Sequence, residues 1–193
     1  MKKAVFLDRD GTLIKDKQHL CEVKKIELLD GVIEGLQKLQ ARNFLLFIIT
    51  NQSGVGRGLF TESRVHEIHN ALLKKLSDHY ISINEVFYCP HHPDDGCICR
   101  KPSPHFVHYA QHQYNIDISQ SFFMGDKGTD AETGKNAGTK TVYIRGSYDI
   151  LETTSKIYSA EKHGRDIMQK QLVDFFAYDF LSGVEWIIEH DQR

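Results

Sequence analysis

The sequence of 193 residues has no long apolar stretch. Its longest such run, residues 44–49, is far too short to cross a bilayer as a helix. Charge of one sign is also missing: 24 Lys and Arg stand against 26 Asp and Glu, a formal net charge of −2. There is thus no basic excess to recruit nucleic acid and no acidic tail to suggest disorder. The first residues, Met1-Lys2-Lys3-Ala4-Val5-Phe6-Leu7-Asp8, contain neither a secretory apolar core nor a small-residue cleavage site. The expectation is a cytoplasmic protein that binds neither membrane nor nucleic acid. Repeats and low-complexity segments are absent. Cysteine is scarce, with four residues, and a reducing compartment disfavours disulfides. What is present, 40% hydrophobic and 26% charged residues, is the mixture of a soluble globular chain. The length suits one domain with an appendage and a core that needs no staples.

Short apolar runs alternate with helical patterns along the first three quarters of the chain. Runs at 3–7, 44–49, 85–88, 121–124 and 141–144 read as strands. Between them, Val32, Ile33, Leu36 and Leu39 recur at helical spacing, and so do Val65, Ile68, Leu72, Leu73 and Leu76, with Thr61 placed to cap the second set. A helix with Pro104 at its start runs to Tyr114, and Gly138 stops a short one that begins at Asp130. Continuous apolar strands separated by helices imply a parallel sheet of about five or more strands with helices on both faces. Ligands of such sheets bind at the carboxyl ends of the strands, where Asp8, Thr50, Cys89 and Asp126 stand. After Arg145 the character changes. Residues 147–165 are polar and weakly patterned, whereas 167–189 carry Met168, Leu172, Phe176, Phe180, Val184 and Ile188 four apart and read as a helix. The expected division is a domain over 1–146 and a mainly helical C-terminal extension over 147–193. Docking of the extension on the core is the default for such a stripe, with a subunit contact through Trp186, Phe175, Phe176 and Phe180 as the alternative.

Asp8-Arg9-Asp10-Gly11-Thr12 follows the first strand directly. Two carboxylates at i and i+2 can divide phosphoryl chemistry between them: one attacks phosphorus, the other protonates the leaving oxygen and then deprotonates water. A cation such as Mg²⁺ between them would offset their repulsion and the charge of a phosphate. Thr50-Asn51 after the second strand offers a hydroxyl and an amide to phosphate oxygens. Lys101 after the third can neutralise phosphate charge, and Asp126 after the fourth adds a metal carboxylate.

The loop Cys89-Pro90-His91-His92-Pro93-Asp94-Asp95-Gly96-Cys97-Ile98-Cys99 sets a Cys-x-His beside a Cys-x-Cys. Three thiolates and one imidazole make a closed tetrahedral Zn²⁺ site, structural because no coordination position is open. Spacing admits either His91 or His92 as the fourth ligand. Such a site orders residues 89–99 and fixes Arg100 and Lys101, which follow it at once. Cys21, left over, is expected to be a small buried or partly buried residue.

The four strand-end motifs, in this order, resemble those of the haloacid dehalogenase superfamily of phosphohydrolases, over about residues 3–145. The resemblance implies a Rossmann-like fold, with Asp8 as nucleophile, Asp10 as general acid/base, and Thr50 and Lys101 stabilising the phosphoryl group. It also implies Mg²⁺ held by the Asp8 side chain, the Asp10 backbone carbonyl and Asp126, with Asp130 orienting Lys127 or the waters of the metal. Within the superfamily the zinc loop resembles a narrow branch, the heptose bisphosphate and histidinol-phosphate phosphatases, whose Cys-x-His pattern selects Cys89, His91, Cys97 and Cys99. Ser53-Gly54-Val55-Gly56-Arg57-Gly58 and Gly125-Asp126-Lys127 look like the heptose enzymes. The branch implies hydrolysis of the 7-phosphate of D-glycero-D-manno-heptose 1,7-bisphosphate on the way to nucleotide-activated heptose. Its substrate contacts would fall on Asn51, Gln52, Ser53, Arg57, Arg100 and Lys127. Where the heptose enzymes carry Asp/His-Gly-Tyr, this chain has Asp16-Lys17-Gln18-His19, which leaves Asp16 and His19 as polar candidates. The expected partner is a phosphorylated sugar, and the expected state a monomer or small homo-oligomer. Three alternatives stand beside this reading: a histidinol-phosphate phosphatase, a polynucleotide 3′-phosphatase with a similar Thr50–Gly58 run, and a non-catalytic metal-binding scaffold.

Overall fold

The structure, a computed structural model, describes residues 1–17, 20–145 and 171–191. Six strands form one sheet: β1 (Ala4–Leu7), β2 (Leu45–Asn51), β3 (Glu85–Cys89), β4 (Phe122–Gly125), β5 (Lys140–Ile144) and β6 (Phe175–Ala177). Their order is β3-β2-β1-β4-β5-β6, and every pairing is parallel. Among the described residues five α-helices accompany them: α1 (Val32–Ala41), α2 (Glu62–Ser77), α3 (His105–Tyr114), α4 (Gly128–Ala137) and α5 (Phe180–Glu189).

Alternate strand residues face opposite sides of a pleated sheet, and both sides are buried. Val5, Leu7, Leu46, Ile48, Met124 and Val142 pack under α1, α2 and α5, which contribute Leu36, Leu72, Val184 and Ile187. Ala4, Phe6, Phe47, Ile49 and Phe123 pack on the other side with Val107 and Ala110 of α3 and Ala137 of α4. This two-sided burial is why the strands read as continuous apolar runs. Thr61 caps α2, its hydroxyl accepting from the backbone N–H of Arg64 at 3.3 Å. Gly138 ends α4 in the left-handed conformation, φ 84°. The chain moves from β1 outward to β3 and then crosses back to β4, so β1 and β4 flank the point where the strand order reverses. Asp8 lies there, its N–H donating to the Met124 carbonyl at 3.0 Å. A crevice opens beyond the strand ends at such a point.

Two expectations are corrected. Residues 175–177 are the sixth strand rather than part of a helix over 167–189. A spacing of four fits a strand, whose period of two divides it, as well as it fits a helix. The helix begins only at Phe180, where Asp179 caps it by accepting from the Ser182 N–H at 2.8 Å. Residues 146–170 lie outside the described part. Secondly, Cys21 is exposed, because it sits in the surface loop leading to the short 3-10 turn Val23–Lys25. The described end of the chain docks on the core. Trp186 stacks on Phe175 at 5.2 Å and meets Phe122 edge-on at 6.1 Å. Among the described residues no helix is long and apolar enough to cross a membrane.

Candidate active site and metal centres

The carboxyl ends of β1, β2 and β4, together with the segments after β3 and β4, converge on one crevice. Asp8, 3% exposed, places Oδ1 2.6 Å from Nζ of Lys101. Its Oδ2 is buried without a hydrogen-bond partner, 3.9 Å from Nζ of Lys127. Burial alone would raise the Asp8 carboxyl, but Lys101 and then Lys127 outweigh it, and the group is held below its ordinary value. Lys101 is anchored on three oxygens: Asp8, Asp130 at 2.6 Å and the Ile49 carbonyl at 2.9 Å. Burial disfavours its charge, but Asp130 and Asp8 together raise it above the usual lysine range.

Asp10 is held from the end of β2 and by its own neighbour. Its Oδ2 accepts from Gln52 Nε2 at 2.9 Å and lies 3.5 Å from the Thr50 hydroxyl, while Arg9 forks onto both carboxylate oxygens at 2.8–3.1 Å. Asn51 grips the backbone of Lys101 from both sides. Its Oδ1 accepts the Lys101 N–H at 3.0 Å, and its Nδ2 donates to the Lys101 carbonyl at 3.2 Å. Lys127 reaches back to the Asp10 carbonyl at 3.1 Å and to Asp16 at 3.3 Å. Asp130 accepts the Lys127 N–H at 2.9 Å and places its other oxygen on Lys101, so it orients Lys101 and starts α4.

Side-chain oxygens of Asp8, Asp126 and Asp130 lie within 4.8 Å of one another. Burial pushes the Asp126 carboxyl well above its ordinary value. The nearby Asp8 and Asp130 add to this, and Lys127 opposes it. Crowded carboxylates with one unpartnered buried oxygen suit a hard divalent cation, and the donor set is that of Mg²⁺. Gly11 makes the arrangement possible: its φ is +91°, and a Cβ there would stand 2.1 Å from Asp126 Oδ2.

Around the loop after β3, Cys89 Sγ lies 3.6 Å from His91 Nδ1 and 3.5 Å from Cys97 Sγ. Cys99 Sγ lies 3.3 Å from His91 Nδ1 and 3.7 Å from Cys97 Sγ. A tetrahedron with bonds of ~2.3 Å to sulfur and ~2.0–2.1 Å to nitrogen has edges of about 3.6–3.8 Å, so the four donors fit Zn²⁺. Burial pushes the Cys99 thiol up to about 12, and Cys89 and Cys97 add to this, which a bound cation would reverse. His91 is the histidine among the thiols. His92 instead caps the short turn Pro93–Asp95, its ring nitrogen accepting from the Asp94 N–H at 3.3 Å.

Two adjoining lobes make up the crevice. One of about 410 Å³ is lined by Asp8, Asp10, Thr50, Asn51, Arg100, Lys101 and Lys127, with Gly128 and Thr129. The other, of about 260 Å³, is lined by Arg9, Asp10, Asp16, Leu20, Gln52 and Ser53, and shares Asn51 and Lys127. Arg100 keeps one buried guanidinium nitrogen, Nη1, without a partner. Arg57 is exposed and lines neither lobe. His19 lies outside the described residues. Sequence reasoning missed the fork of Arg9 on Asp10, and missed that Asn51 and Gln52 hold other site residues. The only sequence signal was the presence of Arg9 inside the aspartate motif.

A family model described as polynucleotide kinase 3 phosphatase matches residues 3–180. D-glycero-beta-D-manno-heptose-1,7-bisphosphate 7-phosphatase of Pasteurella multocida (strain Pm70) is 40% identical over 163 residues, 81% of this chain and 89% of its own length. The D-glycero-alpha-D-manno-heptose-1,7-bisphosphate 7-phosphatase of Campylobacter jejuni subsp. jejuni serotype O:2 is 38% identical, over 74% of this chain and 81% of its own. Among solved structures, a D,D-heptose 1,7-bisphosphate phosphatase from B. bronchiseptica, complexed with magnesium and phosphate, superposes with a TM-score of 0.80. It is 24% identical and covers 97% of this chain and 98% of its own.

Proposed function

The chain belongs to the polynucleotide kinase 3 phosphatase family, in its heptose-1,7-bisphosphate 7-phosphatase branch, and on that premise we propose that it hydrolyses the 7-phosphate of D-glycero-D-manno-heptose 1,7-bisphosphate. One observation carries the reading. Asp8, at the reversal of strand order, is held ionised and almost fully buried, with one oxygen fixed by Lys101 and the other without a hydrogen bond.

Asp8 attacks the phosphorus. The bond to the sugar oxygen breaks, and that oxygen takes the proton carried by Asp10. Asp10, now a carboxylate, accepts a proton from water, and the water oxygen attacks the aspartyl-phosphate. The Asp8–phosphorus bond breaks and inorganic phosphate leaves with the Asp8 carboxylate restored. Thr50 and Lys101 line the larger lobe, where the hydroxyl and the charge would meet the phosphoryl oxygens. Mg²⁺ would be held by Asp8, Asp126 and the Asp10 carbonyl, and when bound it offsets the charge of phosphate and carboxylates. A Zn²⁺ held by Cys89, His91, Cys97 and Cys99 would set the loop that carries Arg100 and Lys101. Arg100 has an unpartnered buried donor, and a guanidinium fork suits a second phosphate. Asp16, Ser53 and Lys127 line the smaller lobe, where the sugar would extend.

A substrate panel with Mg²⁺ tests the proposal: both anomers of the heptose bisphosphate, histidinol phosphate and a 3′-phosphorylated oligonucleotide. The heptose substrates should give the highest kcat/KM, and Asp8→Asn should abolish phosphate release. A higher kcat/KM for histidinol phosphate or the oligonucleotide, or unchanged turnover by Asp8→Asn, overturns it.

A further inference from the structure

Arg9 stands between the two aspartates in sequence, yet its side chain is 1% exposed and heads the large side chains that are fully buried. Taking a guanidinium out of water costs several kcal/mol unless its donors are well used. Here they are directed at one group. Nε donates to Asp10 Oδ2 at 3.0 Å, and Nη2 donates to Oδ1 at 3.1 Å and Oδ2 at 2.8 Å. The Arg9 carbonyl accepts from both Leu13 and Ile14, at 3.0 and 3.1 Å, so the turn that carries the fork is itself fixed. Gln52 meets the same Asp10 oxygen from β2 at 2.9 Å. The remaining nitrogen, Nη1, and Nε2 of buried His69 have no hydrogen-bond partner. Polar groups are left incomplete while the fork on Asp10 is satisfied.

We infer that Arg9 is a positioning residue: its fork fixes the Asp10 carboxyl at the junction of the two lobes, the position from which it would serve the leaving oxygen. Asp10 lines both lobes. The inference rests on the role proposed above for Asp10. It makes a distinction that a merely structural arginine would not. A sugar alkoxide needs a proton to leave, whereas p-nitrophenolate leaves without one.

The test compares kcat/KM for heptose 1,7-bisphosphate and p-nitrophenyl phosphate in Arg9→Lys, Arg9→Met, Asp10→Asn and Asp10→Asn/Arg9→Met. The ratio of the two values does not depend on what fraction of a preparation is folded, so a poorly folding variant still reports. Arg9→Met should lose about 100-fold on the sugar substrate, the scale of general acid catalysis, and less than about threefold on the aryl ester. Arg9→Lys should not rescue the loss, because a lysine is a point charge without the planar fork. The double variant should match Asp10→Asn, since nothing is left to position. Proportional losses on both substrates, or a further loss of about tenfold in the double variant, overturn the inference. If Asp10→Asn itself leaves the substrate ratio unchanged, the role of Asp10 falls, and the inference with it.

Discussion

Lys101 and Asp8 form an ion pair at 2.6 Å with both side chains almost wholly out of water, 3% and 4% exposed. The pair is not closed. Asp130, 1% exposed, lies 2.6 Å from the same ammonium, so one cation is shared between two buried carboxylates. The two carboxylates hold Lys101 charged against its burial, and the charge of Lys101 in turn keeps Asp8 ionised. Asp130→Asn preserves the shape and the acceptor for the Lys127 N–H but removes the second charge. Groups that orient a functional residue from behind typically contribute ~10–100-fold to activity, and kcat should fall by about that much with KM little changed. Steady-state kinetics check this, and an unchanged kcat would show that Asp130 serves only to start α4.

The cysteine loop reaches the crevice along two routes. One is the chain itself, since Arg100 and Lys101 directly follow Cys99. The other is Gly56, whose N–H donates to the Pro90 carbonyl at 2.8 Å; a Cβ there would stand 2.2 Å from the His92 nitrogen. Gly56 therefore lies directly against the loop. Cys97→Ser should take zinc from near one per chain toward none by elemental analysis. It should also lower kcat/KM by ~10–100-fold, the scale for a displaced supporting residue. A zinc-free protein of full activity and unchanged melting temperature would sink a structural zinc.

What could be read from the sequence, and what could not, follows from physics. Asp8, Thr50, Cys89 and Asp126 were legible because a buried parallel strand is a continuous apolar run, and the first polar residue after it marks the edge where ligands bind. The strand at Phe175–Ala177 was not, because residues four apart satisfy both periods. The inward turn of Gln52 onto Asp10, and the clamp of Asn51 on the Lys101 backbone, are contacts between segments far apart in sequence. Residue type at a strand end signals such roles only as "polar". The fork of Arg9 on its own neighbour depends on side-chain torsions that no spacing encodes. The choice between His91 and His92 needed the local turn, in which Asp95 accepts the His92 N–H at 2.7 Å and draws that residue into a cap.

Helix α5 covers one end of the sheet. Val184 and Ile187 are fully buried beside α1, and a Cβ on Gly183 would already meet Met124 at 3.0 Å and Val142 at 3.1 Å. Val184→Asp would place a carboxylate in that apolar layer without a partner. The expected loss exceeds about 4 kcal/mol, a large share of the ~5–15 kcal/mol that holds a typical domain together. The variant should be insoluble, or melt far below the parent in a thermal scan. Glu189→Gln, on the exposed last turn, is the control and should melt within a degree or two of the parent. A Val184→Asp protein with normal melting would mean that α5 does not close the core.

His69, 5% exposed in the middle of α2, is pushed down to about 3 by burial, with the charges of Arg9 and His66 acting in the same direction. In the unfolded chain a histidine titrates near ~6.5. Between these values the unfolded state binds a proton that the native state does not, so stability falls as pH falls below about 6.5, by up to ~1.4 kcal/mol per unit. Above that pH both states are neutral and His69 contributes no pH dependence. His69→Leu removes the group from the balance. Urea unfolding of the two proteins should therefore show their difference shifting in favour of the variant by about 2 kcal/mol between pH 7.5 and pH 5. Acid effects on the carboxylates and thiolates are common to both proteins and cancel in that difference. Parallel stability curves across this range would show that His69 takes up its proton in the folded protein, and hence that the space between α2 and Arg9 is open to water.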